Sequence, residues 1–434
     1  MPCSHPNVDR MNRSSPTLRR ALGRWDLTAI GVNQVIGSAV FLAPAALAAQ
    51  VGGWATPGLV LVAGLALLIA LCFAEAGSRF DGTGGAYLYT RAAFGRFVGF
   101  EVGWMLWVTR ATSWAAVVNG LTDSLGYYWP AVAAGGWRLA FITAVVLAIM
   151  AINIRGIRQS AWTVNALTIS KLTPLVIFVV VGLPFVSWSL LRPGATPSVE
   201  QISGSALLLI FAFGGYEVVP VPAGEARDPR RAVPFAMIMT IVIVALVMTL
   251  VLIVAVGTLP NLAQSRTPLA EAAVLFLGAF GALLMTTGAV ASMTGNNMGQ
   301  ALSGSRNLFA LAEQGDLPRA FGYIHPRFRT PIVAIVVTCL VSLALALWSD
   351  FRALAATSAV SRLLVYAGTC ASVLVLRREG RAPFTIAFGP LVPSIALAIS
   401  VGILYGASSL QLQVGAAALA IGALLYAVAA RQKR

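Results

Sequence analysis

The chain has 434 residues, of which 58% are hydrophobic and only 10% charged. A soluble domain carries about 25% charged and 45–50% apolar residues, so this composition excludes a soluble enzyme, a disordered chain and a disulfide scaffold. It points to an all-α polytopic membrane protein. The formal charge of +15 would suggest nucleic acid on a soluble protein; on a membrane protein the first question is where the positive charges sit.

A helix crosses a bilayer with about 20 apolar residues. Residues 1–24 are polar, carry five arginines, and precede a run with no small-residue cleavage pattern; this is expected to be a retained cytoplasmic tail, not a cleaved signal peptide. The uncharged run 27–74, divided by Gly52-Gly53-Trp54 and Pro57, predicts two helices, 27–50 and 56–78. Further spans are expected at 97–122, 139–154, 159–184 and 202–222. Beyond them lie runs at 232–265 and 272–305. The second of these, at 1.5 Å per residue, is about 50 Å long and must tilt or project. Runs at 331–348 and 353–376 follow, and 382–430 divides near Ser408-Ser409-Leu410-Gln411. The total is twelve spans.

An even count puts both termini on one side. On that side lie 23 of the 30 basic residues, with 4 opposite and Arg110, Lys171 and Arg362 inside spans. By the positive-inside rule both termini are cytoplasmic. Most of the net charge is then a topology signal, and headgroup contact explains it without nucleic acid. Cys3 lies in the tail and Cys72, Cys339 and Cys370 in apolar runs, so no disulfide framework is expected. His5 and His325 are the only histidines, which leaves no metal-ligand cluster and no sign of a cofactor. The tryptophans Trp104, Trp107, Trp129, Trp137, Trp188 and Trp348 are expected near span ends or on lipid-facing helices, as interfacial belts are.

Two spans look broken. The first contains Gly31 to Phe41 with Pro44 following; the sixth contains Phe211-Ala212-Phe213-Gly214-Gly215-Tyr216-Glu217 with Pro220 and Pro222 following. Small residues also serve helix packing, which explains either segment alone. Equivalent interruptions five spans apart are better read as a transporter site at the bilayer midplane. Freed N–H groups at a half-helix N-terminus can hold a carboxylate, and freed carbonyls an ammonium. A zwitterionic amino-acid backbone fits that pair.

The chain resembles the amino acid–polyamine–organocation (APC) transporter superfamily over roughly residues 24–430. Four stretches carry the likeness: Ile36 to Phe41; Phe73 to Phe80 running on to Tyr87; Phe211 to Glu217 with Glu225 to Pro234; and Ser305-Arg306 through Glu313 to Pro318 and Thr330-Pro331. The resemblance implies a LeuT-type fold with inverted repeats at 25–184 and 202–378, broken helices 1 and 6, and two appended helices in 382–430. It also implies secondary transport of amino acids or related amines. By position, Ile36, Gly37, Ser38 and Ala39 would bind the substrate carboxylate through N–H groups. Phe211, Ala212 and Phe213 would offer carbonyls and an aromatic lid, and Gly214 and Gly215 would permit unwinding. Ala39 stands where the family pattern has glycine, and alanine tolerates a left-handed backbone less well; carboxylate contact there is expected to be altered.

Lys171 lies midway along span 5. Some proton-coupled members of the superfamily carry a lysine at a matching position, so the resemblance implies proton coupling; the alternative is a lysine snorkelling to an interface. Glu217 is the one carboxylate expected deep in a span, with a role in proton-dependent gating open to it. Arg110 and Arg362 have two readings: structural pairing, as of Arg110 with Glu217 or of Arg362 with carbonyls at the broken helices, or contact with a substrate side-chain carboxylate. Ser292, Asn296 and Asn297 either line the site or bond between helices. The reading that results is a cytoplasmic-membrane amino-acid permease working by alternating access with a proton as coupling ion and the bilayer as its surroundings. An exchanger or polyamine carrier is the first rival. A sensor would need a soluble signalling domain for which neither tail has room, and an enzyme would need a nucleophile–base arrangement.

Overall fold

The computed structural model describes residues 22–81, 84–155 and 161–431, the side chains of 161–167 and 224–225 excepted. The tail residues Cys3, His5, Arg10, Arg13, Arg19 and Arg20, together with Arg158, Lys433 and Arg434, lie outside the described residues.

Each expected run carries helix, and the turn signals mark the ends. The first run holds α1 (Arg24–Val35) and α2 (Ala39–Val51), and a 3-10 turn at Gly52–Trp54 leads into α3 (Ala55–Ser78). Next come α4 (Ala86–Phe94), α5 (Arg96–Leu125), α6 (Gly135–Arg155) and α7 (Ala161–Gly182). They are followed by α8 (Val199–Phe213), α9 (Pro229–Thr258) and α10 (Pro268–Glu313). The chain ends in α11 (Ile332–Trp348), α12 (Phe351–Leu376), α13 (Leu391–Tyr405) and α14 (Ser409–Arg431). Among the described residues the only β pairing is a single bridge between Leu22 and Ala226.

Among those residues seven helices are long and apolar enough to cross a membrane. They become eight if Val199–Phe213 and Tyr216–Ala223, bent by 40°, count as one span. This is fewer than the twelve expected crossings, for local reasons. The first two expected spans run together in Ala39–Ser78, which counts once, and α11 and α13 are short; α5 dilutes its apolar run with Thr109, Arg110, Thr112, Ser113 and Asn119. The protein is a multi-pass helical membrane protein.

Four features differ from expectation. Helix α4 lies between the second and third expected spans, where no helix was assigned; Ala86, Tyr87, Tyr89 and Thr90 form its buried face against α5 and α12. The long eighth run carries a break that was not anticipated: α10 interrupts at Gly278, where φ is +62°, a backbone that glycine adopts without strain, and the helix beyond it, 279–313, is still longer than the hydrocarbon core. Trp104 and Trp107 are not interfacial. They sit buried on α5, donating to the Ala418 carbonyl at 2.7 Å and to Thr338 Oγ1 at 3.0 Å, because α5 lies inside the bundle and their N–H groups need partners there. Trp129, Trp137, Trp188 and Trp348 are exposed. Finally, Ala39 opens α2 in ordinary helical conformation and is not among the residues with positive φ, so the expected penalty for replacing glycine does not arise.

The centre of the bundle is α5, buried along almost its whole length against α10 and α12. Around it α3 packs on α9, α1 on α7 and α9, and α2 on α8. Lipid tails are as apolar as leucine, so such contacts rest on close packing rather than on escape from water. Small residues supply it: Ala63, Ala66, Ala70 and Ala74 line α3, and a β-carbon at Gly77 would come within 2.9 Å of Tyr89 Oη. Helix α14 is peripheral, burying only Gly415, Gly422 and Ala429.

Candidate functional site

The first break lies between α1 and α2. Ile36, Gly37 and Ser38 leave the helix, and every freed carbonyl needs a donor. Three side chains supply them. The Lys171 ammonium on α7 donates to the Asn33 and Ile36 carbonyls at 3.0 and 3.2 Å. Ser292 Oγ on α10 donates to those of Ile36 and Gly37 at 3.2 and 3.3 Å. Asn296 Nδ2, one turn further, donates to that of Gln34 at 2.9 Å. Gly37 lets Asn296 approach closely: a β-carbon there would lie 2.9 Å from Asn296 Nδ2, and the amide would have to shift. With the carbonyls of Asn33, Gln34, Ile36 and Gly37 engaged, the break presents N–H groups at the start of α2, the positive end of a helix dipole.

The second break follows α8. Gly214 N–H turns back to the Phe211 carbonyl at 3.0 Å, so one lone pair of that expected ammonium acceptor serves the chain itself. Gly215 has φ +130°, open only to glycine among common residues. Its N–H is capped by Glu217 Oε2 at 2.8 Å. Phe211 meets Phe351 edge-on, ring centres 5.8 Å apart. Ala212 and Phe213 are fully buried in the last turn of α8.

Glu217 joins this break to the bundle centre. Its Oε2 also accepts from Tyr366 Oη at 3.2 Å. Its Oε1 lies 2.8 Å from Arg110 Nη2 and 3.1 Å from Arg362 Nη1. The four groups come from α5, α12 and the break itself, and all are buried. A polar chain then runs from Arg110 Nη1 to Gln300 Oε1 at 3.3 Å and from Gln300 Nε2 to Asn296 Oδ1 at 3.4 Å. It ends on the Gln34 carbonyl, so the two breaks belong to one hydrogen-bonded system.

Between the breaks is a cavity of about 20 Å³, room for a single water. Of the expected site residues, Gly37, Ser38, Ala39, Phe211, Gly214 and Arg362 line it. Ile36 and Gly215 adjoin it in the breaks and Ala212 and Phe213 in the last turn of α8; Lys171 reaches the first break from α7, and Glu217 links Arg362 to Arg110. Gln34, Ser113 and Gln300 also line it and were not singled out from the sequence. Their polarity inside apolar runs was the available signal. Asn296 does both things open to it, lining the cavity and bonding between helices, whereas neither amide atom of the fully buried Asn297 has a partner.

The other motif residues gather where α3, α10 and α12 end. Glu75 accepts both Nε and Nη2 of Arg377 at 2.6 Å and the Ile386 N–H at 2.9 Å. Asp316 accepts from Tyr87 Oη at 2.9 Å and pairs with Arg96. Burial, followed by the Asp316 carboxylate, pushes the Tyr87 hydroxyl up to about 12. These contacts tie α3, α4, α5, α10 and the segment after α12 together at one end of the bundle. Cys72, Cys339 and Cys370 are buried free thiols. No cluster of three metal-ligating side chains occurs among the described residues.

A multi-pass helical protein with two broken helices facing each other across a small polar cavity has the form of a membrane transporter. The amino acid permease family model matches residues 22–428. The chain belongs to this family of APC-superfamily transporters, which are carriers rather than enzymes. It is 33% identical over 418 residues to an uncharacterized transporter of Mycobacterium tuberculosis, covering 95% of this chain and 91% of that one. It is 27% identical over 440 residues to the methylthioribose transporter of Bacillus subtilis, covering 96% and 95%. It is also 27% identical over 416 residues to the serine/threonine exchanger SteT of Bacillus subtilis, covering 89% and 91%.

Proposed function

We propose that the protein is a proton-coupled amino-acid permease of the cytoplasmic membrane, working by alternating access with both termini in the cytoplasm. Helices α1 with α2 and α8 with its following turns are the broken first and sixth spans of a twelve-span, five-plus-five inverted-repeat layout. The observation that carries the reading is the division of labour at the first break. Lys171, Ser292 and Asn296 occupy its carbonyls, which leaves the N–H groups around Gly37, Ser38 and Ala39 for a substrate carboxylate. The substrate ammonium meets carbonyls in the last turn of α8, and Phe211 covers it. The cavity is too small for an amino acid, so this is a closed form and loading requires the breaks to part.

Lys171 is the coupling residue. Its ammonium holds two carbonyls of the break; loss of a proton strips the charge that strengthens those bonds, so the state of the break and the state of the proton are linked.

An exchanger is a second reading, supported by the name of the serine/threonine exchanger relative. A polyamine carrier is disfavoured, because the buried centre already holds two guanidinium groups against one carboxylate. Uptake of labelled amino acids into proteoliposomes, with and without an imposed pH gradient and with and without internal amino acid, tests all of these. Accumulation driven by the gradient supports the permease. Uptake that requires internal amino acid supports exchange, and no uptake of any amino acid removes the reading.

A further inference from the structure

We infer that Arg362 binds a second carboxylate on the substrate, so that the carrier selects acidic amino acids. This rests on the permease reading and adds the substrate class to it.

The argument begins with valences at the ionic centre. Arg110, Glu217 and Arg362 are all buried, and the trio carries one excess positive charge. Glu217 has no capacity to spare: Oε1 faces both guanidinium groups, and Oε2 accepts from Gly215 N–H and Tyr366 Oη. Arg110 is engaged with both its terminal nitrogens, on Glu217 and Gln300. Arg362 is different. Only Nη2 makes a hydrogen bond, to Ser113 Oγ at 3.1 Å. Nη1 lies 3.1 Å from Glu217 Oε1 without hydrogen-bond geometry, and Nε has no partner at all. A buried cation with unused donors is costly unless something pairs with it.

Position then says what pairs. The guanidinium lies directly over the second break: a β-carbon on Gly214 would fall 1.3 Å from Nη1. Arg362 shares the cavity with Gly37, Ser38 and Ala39, and Ser38 Oγ, also buried, is likewise unpartnered. Backbone N–H groups at the first break serve the α-carboxylate and carbonyls at the second serve the ammonium. The Nε edge of Arg362, completed by the second hydrogen of Nη2, is left for a third group. A planar fork of donors matches a carboxylate bidentately, and one added negative charge cancels the excess. A neutral substrate leaves that excess in place, and a cationic one adds to it.

The test is inhibition of labelled amino-acid uptake into proteoliposomes by glutamate, aspartate, glutamine, leucine and lysine, for the wild type and for Arg362→Gln and Arg362→Lys. Glutamate or aspartate is expected to inhibit at least tenfold more strongly than glutamine. Arg362→Gln is expected to bring the ratio of glutamate to glutamine inhibition to about one, whatever uptake rate remains. Arg362→Lys, which keeps charge but not the fork, falls between. Wild-type inhibition by glutamine or leucine equal to that by glutamate overturns the inference and leaves the permease reading standing. A preserved preference in Arg362→Gln overturns it too. Uptake of no amino acid overturns both. If the variants do not elute as monodisperse protein, the wild-type profile alone decides.

Discussion

Gly215 and Gln34 touch across the two breaks: a β-carbon at 215 would lie 2.7 Å from both the carbonyl carbon and the carbonyl oxygen of Gln34. The turn after α8 therefore meets the last turn of α1 backbone to backbone.

Gly215→Ala is accordingly expected to damage the protein twice. The φ of +130° costs about 1–3 kcal/mol for a residue with a side chain, and the methyl pushes the two breaks apart. Uptake should fall to background, with a lower melting temperature in detergent. Wild-type stability and uptake in this variant would show that the contact is not required.

Lys171→Ala removes the donor to the Asn33 carbonyl and one of two donors to that of Ile36. A buried acceptor left unsatisfied costs about 1–3 kcal/mol. Accumulation driven by a pH gradient is expected to disappear. A Lys171→Ala protein that still concentrates substrate on imposing the gradient would end the coupling proposal.

At the far end of the bundle, Glu75 is buried and spends both oxygens on Arg377 and the Ile386 N–H. Removing one partner of a buried pair costs about 3–5 kcal/mol, so Glu75→Ala should lower the melting temperature markedly. Arg377→Lys, with one ammonium in place of a two-armed fork, should lower it less. Equal melting temperatures for the three proteins would mean that the pair adds nothing.

Asn297 gives a discriminating case. Its amide is fully buried without a partner, so Asn297→Leu is expected to be neutral or to stabilise by up to about 1 kcal/mol if the residue has no ligand. Thermal unfolding and uptake, measured together, separate the outcomes. Unchanged folding with lost uptake would assign the amide to the transport cycle.

The alkaline end of the stability profile should carry the mark of Tyr87. Its hydroxyl is held up at about 12, above its ordinary value near 10. A raised folded value means that the contribution is fully present below pH ~10 and is lost as pH rises toward ~12. Stability measured from pH 7 to 9 should therefore show no Tyr87 titration. Tyr87→Phe should weaken the protein across that whole range by removing the bond to Asp316.

The helical segments, the two breaks and the membrane class were legible in the chain, since these are local matters. An uncharged run of about twenty residues has one stable form in lipid, and Ile36-Gly37-Ser38 and Gly214-Gly215 announce where backbone can leave it. Helix α4 escaped because its buried face is only four residues long. Trp104 and Trp107 were misplaced because a 3.6-residue period says which side chains share a face but not whether that face meets lipid or another helix. The same limit governs the site. Arg110 with Glu217 was one of two open pairings, and nothing local places Arg362 over Gly214 or Asn296 and Ser292 beneath the first break. Those positions depend on the register of α5, α10 and α12 against segments a hundred or more residues away. By itself the sequence determined which stretches are apolar helix and where helices fail. The tertiary structure alone decided which freed carbonyls are already occupied and which buried cation still has donors to offer, because hydrogen-bond valence can be counted only once every neighbour is in place.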